Sequence, residues 1–130
     1  VNIPKSNIFI IPAELGNTVG ALSYENILDK NKPFDLVILG LGDDGHIASL
    51  FPKHQWDNSK QVVSVSNSPK APSDRISLTP SRLSNAEDVL FLISGKNKVN
   101  AFKEWKEGVD LPANLISARN KISIMTFSVT

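Results

Sequence analysis

The stretch that most constrains this chain is "FDLVILGLGDDGHIASLFP", which runs from Phe34 to Pro52. An unbroken apolar run follows Asp35, and such runs are typical of strands covered on both faces in parallel sheets. Glycines follow at Gly40, Gly42 and Gly45, where they allow the chain to turn tightly. The stretch therefore predicts a central strand of a parallel α/β sheet that ends in a glycine-rich turn.

A second unbroken apolar run, "DVLFLISG", spans residues 88–95 and leads into an amphipathic helix predicted at 97–108. Further strands are predicted at 7–12, 61–67, 74–80 and 121–129, and further helices at 16–30, 46–51 and 110–116. Helices that alternate with buried strands indicate a Rossmann-like α/β fold, a parallel sheet flanked by helices as part of a three-layer α/β/α domain. With 130 residues, the chain is expected to form one such domain.

Composition narrows the possible functions. The chain has 14 basic and 13 acidic residues, and this balance disfavours a general nucleic-acid binder, whose surface is usually basic. No apolar run approaches the ~20 residues that cross a bilayer, so no membrane partner is expected. There is no cysteine, which fits a cytoplasmic protein. The only histidines are His46 and His54, so no metal site is predicted.

The three glycines match G-x-G-x-x-G, the dinucleotide-binding fingerprint, but three features oppose a nucleotide at this turn. Asp43 and Asp44 would place negative charge beside the pyrophosphate, and residues 62–67 offer no acidic group to hold a ribose. Pro52 also shortens the helix whose N-terminus would face the phosphates. The pattern therefore favours another use of the turn.

A catalytic turn requires different chemistry from the same residues. Asp44 and His46 are two residues apart, so the carboxylate can bond one imidazole nitrogen and fix the tautomer. The other nitrogen can then act as a general base on water, while backbone N–H groups near Gly42 and Gly45 stabilise an oxyanion. In the purely structural alternative, Asp43 and Asp44 cap a helix and His46 is a polar residue of its first turn. The spacing alone leaves both alternatives open.

Three cationic side chains are candidates for an anion site. Lys98 lies at the predicted start of a helix, where an ammonium group and the helix N-terminus together favour phosphate. Arg75 can clamp a phosphate or pair with Asp74, and Lys70 lies in the stiff "SPKAP" loop. Each of the three has a solvated surface role as its alternative. Since parallel strands end at one sheet edge, the Gly40–His46 turn and the turn before Lys98 are expected to lie together.

The segment "LGLGDDGHIASLFP" resembles the signature of the 6-phosphogluconolactonases. More widely, it resembles the superfamily of sugar-phosphate isomerases and lactonases, which includes the glucosamine-6-phosphate deaminases. The segments "SPKAPSDRISLTPSRLSNAEDVLFLISGKNKVNAF" and "IPAELGNTVGALSYENIL" are similar to other parts of the same family, in the same order. The deaminases carry a catalytic glutamate just before the proline, where this chain has Phe51. The resemblance therefore favours the lactonase branch.

The resemblance implies hydrolysis of 6-phospho-D-glucono-1,5-lactone to 6-phosphogluconate, a step of the pentose phosphate pathway, without a cofactor. It implies that His46 activates water and that Asp44 orients His46. Lys98, with Arg75 or Lys70, would hold the substrate phosphate. The alternatives are an enzyme like the glucosamine-6-phosphate isomerases or deaminases and a non-catalytic phosphosugar-binding module.

Members of the family are substantially longer and carry an upstream strand with a phosphate loop of the "SGGST" kind, which does not occur in this sequence. The chain is therefore expected to be the C-terminal part of a longer lactonase domain and to be inactive alone. An exposed sheet edge or apolar face is expected where the upstream part would pack, and such a face favours self-association.

Overall fold

The computed structural model describes residues 2–129, whose strands form one parallel sheet and one hairpin. The strands are β1 (Phe34–Leu39), β2 (Val62–Val65), β3 (Arg75–Leu78), β4 (Ala86–Ser94) and β5 (Lys121–Phe127). The α-helices are α1 (Asn17–Glu25), α2 (Pro80–Ser84) and α3 (Val99–Lys106). Short 3-10 helices lie at Lys5–Asn7, Ala13–Leu15, Lys96–Lys98 and Pro112–Leu115. Within residues 2–129, no helix is long and apolar enough to cross a membrane.

The predicted parallel sheet is confirmed, with strand order β1-β4-β5. Leu39 of β1 pairs with Phe91 of β4, and Phe91 pairs with Ile124 of β5. Because the strands are parallel, their carboxyl ends meet at one edge of the sheet. The glycine-rich turn after β1 and the Lys96–Lys98 turn after β4 therefore lie on the same edge, as the sequence predicts.

The hairpin of β2 and β3 is antiparallel and packs against α1. Glu25, the last residue of α1, ties the helix to the hairpin. Its carboxylate accepts hydrogen bonds from the backbone N–H of Gln61 at 3.0 Å and of Val62 at 2.7 Å. Charge-assisted bonds of this kind are stronger than neutral ones, so Glu25 fixes the hairpin beside the loop that follows the turn.

Among the described residues, β1 and β4 of the parallel sheet are covered on one face and bare on the other, and the edge strand β5 is exposed. Val37, Leu39, Phe91 and Ile93 point into the core and are at most 8% exposed. The alternate side chains are 40–57% exposed and form an apolar stripe, called the bare face below: Leu36, Ile38, Leu92, Met125 and Phe127. The sequence predicts strands covered on both faces, and this structure covers only one. An open apolar face, also expected from the sequence, is present.

Three elements differ from the sequence prediction. The strand predicted at 7–12 is wrong: Asn7 ends a 3-10 helix, and among the described residues no strand pairs with the segment at 8–12. The predicted helix at 46–51 is instead a turn in which Ile47 and Leu50 pair with each other, and Ala48 takes a left-handed conformation at φ 48°. A left-handed residue interrupts a right-handed helix. The sequence prediction missed α2, whose N-cap Thr79 accepts from the Arg82 N–H, although Thr79-Pro80 is a recognisable helix start.

Candidate functional site

The turn after β1 is closed by its own backbone. The N–H of Gly42 donates to the carbonyl of His46 at 2.7 Å, and the N–H of Gly45 donates to the carbonyl of Gly42 at 3.2 Å. Gly45 has φ +85°, a left-handed conformation that favours glycine, and a Cβ there would lie 2.7 Å from Leu111. The amides of both glycines thus have partners inside the turn. Their predicted use as oxyanion donors requires these bonds to be exchanged.

Asp44 and His46 form a hydrogen-bonded pair at the top of the turn. The distance from His46 Nδ1 to Asp44 Oδ1 is 2.5 Å, and the backbone N–H of His46 donates to the same oxygen at 3.2 Å. Partial burial raises the pKa of the Asp44 carboxyl, but the hydrogen bonds from His46 outweigh it and hold that pKa below its ordinary value. An ionised Asp44 accepts a hydrogen bond from the Nδ1–H of His46, which leaves the Nε2 of a neutral imidazole ring as the basic nitrogen.

Gly42 makes room for this pair. A Cβ at residue 42 would lie 2.1 Å from His46 Nδ1 and 2.6 Å from Asp44 Oδ1. Both distances are far below ordinary contact between heavy atoms, which is about 3.5 Å. Gly42 is therefore required by the close approach of the two catalytic candidates to the backbone.

Lys98 lies beside the pair, across a small cavity of about 310 Å³. The cavity is lined by Gly40, Leu41, Gly42, His46, Ala48 and Lys98. Lys98 is the residue before α3, and among residues 2–129 no carboxylate lies within salt-bridge distance of its ammonium group. A cation at a helix start, facing a histidine across a cavity, can hold an anionic group of a small molecule.

Phe51 forms the floor beneath His46. The Phe51 side chain is only 1% exposed, and its ring centroid lies 4.8 Å from that of His46. The guanidinium carbon of Arg75 lies 5.4 Å from the Phe51 centroid. The position before Pro52 is therefore an apolar support for His46 and offers no acid or base.

Lys70 lies in the loop that joins β2 to β3, and Arg75 is the first residue of β3. The segment at 68–75 is called the 68–75 loop below, and neither residue lines the small cavity. The guanidinium group of Arg75 donates to the carbonyl oxygens of Lys70, Ala71 and Pro72. The ammonium group of Lys70 contacts the carboxylate of Asp43. The sequence analysis missed this contact, because nothing in the spacing pairs residues 27 positions apart.

A larger cavity, of about 550 Å³, lies elsewhere, between α1, β2 and the loop at 49–57. It includes Phe51 and His54 but neither Asp44, His46 nor Lys98. Size alone would favour it, but catalysis requires a positioned base, and the Asp44–His46 pair opens onto the smaller cavity. Within residues 2–129, no group of three or more acidic or histidine side chains could hold a metal ion.

This chain is an α/β protein whose parallel sheet carries an aspartate–histidine pair and a lysine at the carboxyl ends of its strands. The family described as "Glucosamine-6-phosphate isomerases/6-phosphogluconolactonase" matches residues 1–125, and the chain belongs to this family.

Among its relatives, the chain is similar to the 6-phosphogluconolactonase of Homo sapiens, with 38% identity over 88% of this chain and 48% of the relative. It is 36% identical to that of Thermotoga maritima, over 92% of this chain and 54% of the relative. The crystal structure of the Thermotoga maritima 6-phosphogluconolactonase superposes with a TM-score of 0.86 at 31% identity, covering 96% of this chain and 58% of that chain. The chain thus spans about half the length of the relatives it matches.

Proposed function

We propose that this chain carries the catalytic turn of a lactonase that hydrolyses 6-phospho-D-glucono-1,5-lactone to 6-phosphogluconate. The observation that carries the proposal is the Asp44–His46 pair, joined at 2.5 Å and opening onto a cavity that Lys98 also lines. The names of the relatives support the same substrate.

In the proposed mechanism, the Asp44 carboxylate accepts a hydrogen bond from the Nδ1–H of His46, so that Nε2 is unprotonated and free to act as the base. Nε2 removes a proton from water while the water oxygen attacks the lactone carbonyl. The tetrahedral intermediate collapses with cleavage of the bond between the carbonyl carbon and the ring oxygen. The imidazolium returns its proton to that ring oxygen, which becomes a hydroxyl group. The product is first a carboxylic acid, which releases its proton to solvent and leaves as the carboxylate. Phe51 packs against the imidazole ring and limits its rotation.

Lys98 is the proposed phosphate ligand. It shares the cavity with His46 and lies at the start of α3, so both its charge and the helix N-terminus favour a phosphate. Exposed Lys96, on the same 3-10 helix, does not line the cavity. The two lysines therefore make a matched pair for mutagenesis.

The second candidate within this family, an isomerase or deaminase of glucosamine-6-phosphate, is disfavoured at one position. The resemblance implies that the deaminases carry a catalytic glutamate just before the proline, and at that position this chain has the buried phenyl ring of Phe51. A non-catalytic phosphosugar-binding module would need no ordered aspartate–histidine pair.

We also propose that the chain is the C-terminal part of a longer lactonase domain. The bare face supports this, since apolar side chains on a parallel sheet are ordinarily covered by further helices. The relatives, about twice as long, supply further chain that could cover it. Without that cover, the bare face would favour self-association.

The test compares the 130-residue chain with a lactonase domain completed by the upstream part of the Thermotoga maritima relative. Lactone hydrolysis is measured after subtraction of the spontaneous rate. We expect negligible turnover by the chain alone and turnover by the completed domain. In that domain His46→Ala should lower the rate by ~10²–10⁴-fold, the usual contribution of a general base. A completed domain that folds but shows no turnover would contradict the proposed activity.

Lys98→Ala in the completed domain should weaken binding of 6-phosphogluconate by about 1.5–3 kcal/mol, the scale of a hydrogen bond to a charged group. Gluconate, which lacks the phosphate, should be affected far less. Lys96→Ala is the control and should change neither affinity. Equal losses for both ligands would remove Lys98 from the phosphate site.

A further inference from the structure

We propose that Lys70 and Arg75 are positioning residues of the Asp43–His46 turn and not ligands of the substrate. The proposal rests on the proposed function, in that the turn it positions is the catalytic one. It assigns the two residues a joint role: Arg75 shapes the 68–75 loop, and the shaped loop holds the Lys70 ammonium group against the two carboxylates of the turn.

The guanidinium group of Arg75 is engaged with the backbone of its own loop. Nε donates to the carbonyl of Pro72 at 3.0 Å, and Nη2 donates to the carbonyls of Lys70 at 3.1 Å and Ala71 at 2.8 Å. Three consecutive carbonyl groups thus converge on one rigid, planar side chain. Ser68 adds to this order, because its hydroxyl donates to the Lys70 carbonyl at 2.8 Å. The carbonyl group of Lys70 is therefore held by two side chains, those of Arg75 and Ser68.

The ordered loop places the ammonium group of Lys70 next to the Asp43–His46 turn. Its ammonium group contacts the carboxylate of Asp43 and lies 3.8 Å from Oδ1 of Asp44, the same oxygen that bonds His46. The side chains of Lys70 and Asp43 are 35% and 46% exposed, so solvent weakens the attraction, and its main effect is on orientation.

A nearby cation reduces the repulsion between two adjacent carboxylates. Asp43 and Asp44 repel each other, and Asp44 must keep one oxygen directed at His46 Nδ1. Lys70 neutralises Asp43 and attracts Asp44 in its hydrogen-bonding position. Besides these groups, the charged side chain facing His46 is Lys98, across the cavity.

Arg75 also packs near the Phe51 ring: its guanidinium carbon lies 5.4 Å from the centre of that ring. Phe51 in turn packs against the imidazole ring of His46. Arg75 therefore acts on the pair by two routes: through the loop and Lys70 on Asp44, and through Phe51 on His46. Loss of Arg75 should disturb both the Lys70 contact and the packing of Phe51.

The test is ¹⁵N NMR of the imidazole rings in the 130-residue chain at about pH 8.5, where an ordinary imidazole is neutral. This measurement requires no turnover, so absence of lactonase activity would leave its outcome intact. The two histidines are distinguished with His54→Gln. In the unmodified chain we expect a single tautomer of His46, protonated on Nδ1. Lys70→Met should lose this signature and give a mixture of tautomers, whereas Lys70→Arg should retain it.

Arg75→Lys tests the shape of the side chain at position 75 separately from its charge. Lysine keeps the charge but cannot bond three carbonyl groups at once, so the variant should lose the single tautomer as Lys70→Met does. Lys96→Met is the control and should leave the tautomer unchanged. A single Nδ1–H tautomer in both Lys70→Met and Arg75→Lys would overturn the proposal. If those variants instead lost only the chemical-shift changes caused by 6-phosphogluconate, Lys70 and Arg75 would be phosphate ligands.

Discussion

Gly42→Ala is expected to break the Asp44–His46 pair without removing either side chain. The added Cβ would lie 2.1 Å from His46 Nδ1 and 2.6 Å from Asp44 Oδ1. The backbone of Gly42 cannot simply retreat, because its N–H donates to the His46 carbonyl at 2.7 Å. The imidazole must therefore move by about 1 Å or more to restore ordinary contact distances. A shift of that size breaks a 2.5 Å hydrogen bond to a carboxylate. Its loss costs about 1.5–3 kcal/mol when the groups are desolvated, and the partial exposure here favours the lower value.

The assay is urea unfolding of the 130-residue chain, with Gly40→Ala as the matched control. Gly40 lines the same cavity, but the nearest atom to a Cβ there is the Leu92 carbonyl oxygen at 3.9 Å, an ordinary contact. We expect Gly42→Ala to lower the free energy of unfolding by about 1.5 kcal/mol and Gly40→Ala to change it by less than about 0.5 kcal/mol. In the completed lactonase domain, misplacement of the base should lower turnover by ~10²-fold in Gly42→Ala alone. Equal stability and equal turnover of the two variants would refute the reasoning.

Three further predictions concern pH, the hairpin and the bare face. Because the pKa of Asp44 is below its ordinary value in the folded chain, its ionised form stabilises the fold above about pH 4, and this contribution is lost as the pH falls further through the folded pKa. Asp44→Asn should therefore flatten the fall in stability below about pH 4, followed by urea unfolding at each pH. Glu25→Gln should lower the free energy of unfolding by about 2 kcal/mol, because it weakens the hydrogen bonds to two backbone N–H groups. Glu14→Gln, at an exposed glutamate, is the control and should not lower it. Similar free energies of unfolding for the two variants would contradict the role of Glu25 in tying α1 to the hairpin. If the bare face drives self-association, Ile38→Lys should lower the apparent mass in sedimentation experiments more than Val109→Lys, an exposed control outside the sheet, and equal effects would contradict it.

The sequence by itself determined the parallel strands and the composition of the turn. Unbroken apolar runs at β1 and β4 are typical of strands in a parallel sheet. Each run ends in glycine, so the ends of these strands could be predicted. The Asp44–His46 pair was also predictable, because residues two apart on a tight turn are within hydrogen-bonding reach. Lys98 could be placed near this pair because parallel strands end at one edge.

Only the tertiary structure decided which long-range contacts the site makes. Lys70 and Asp43 meet because the 68–75 loop folds back over the turn, and sequence separation carries no signal for that approach. The helix predicted at 46–51 became a turn, because Ala48 takes a left-handed conformation where the chain passes beneath the cavity. Local propensity cannot anticipate such a tertiary constraint. The bare face, too, depends on which layers surround the sheet: an apolar strand has the same pattern whether one face or both are covered.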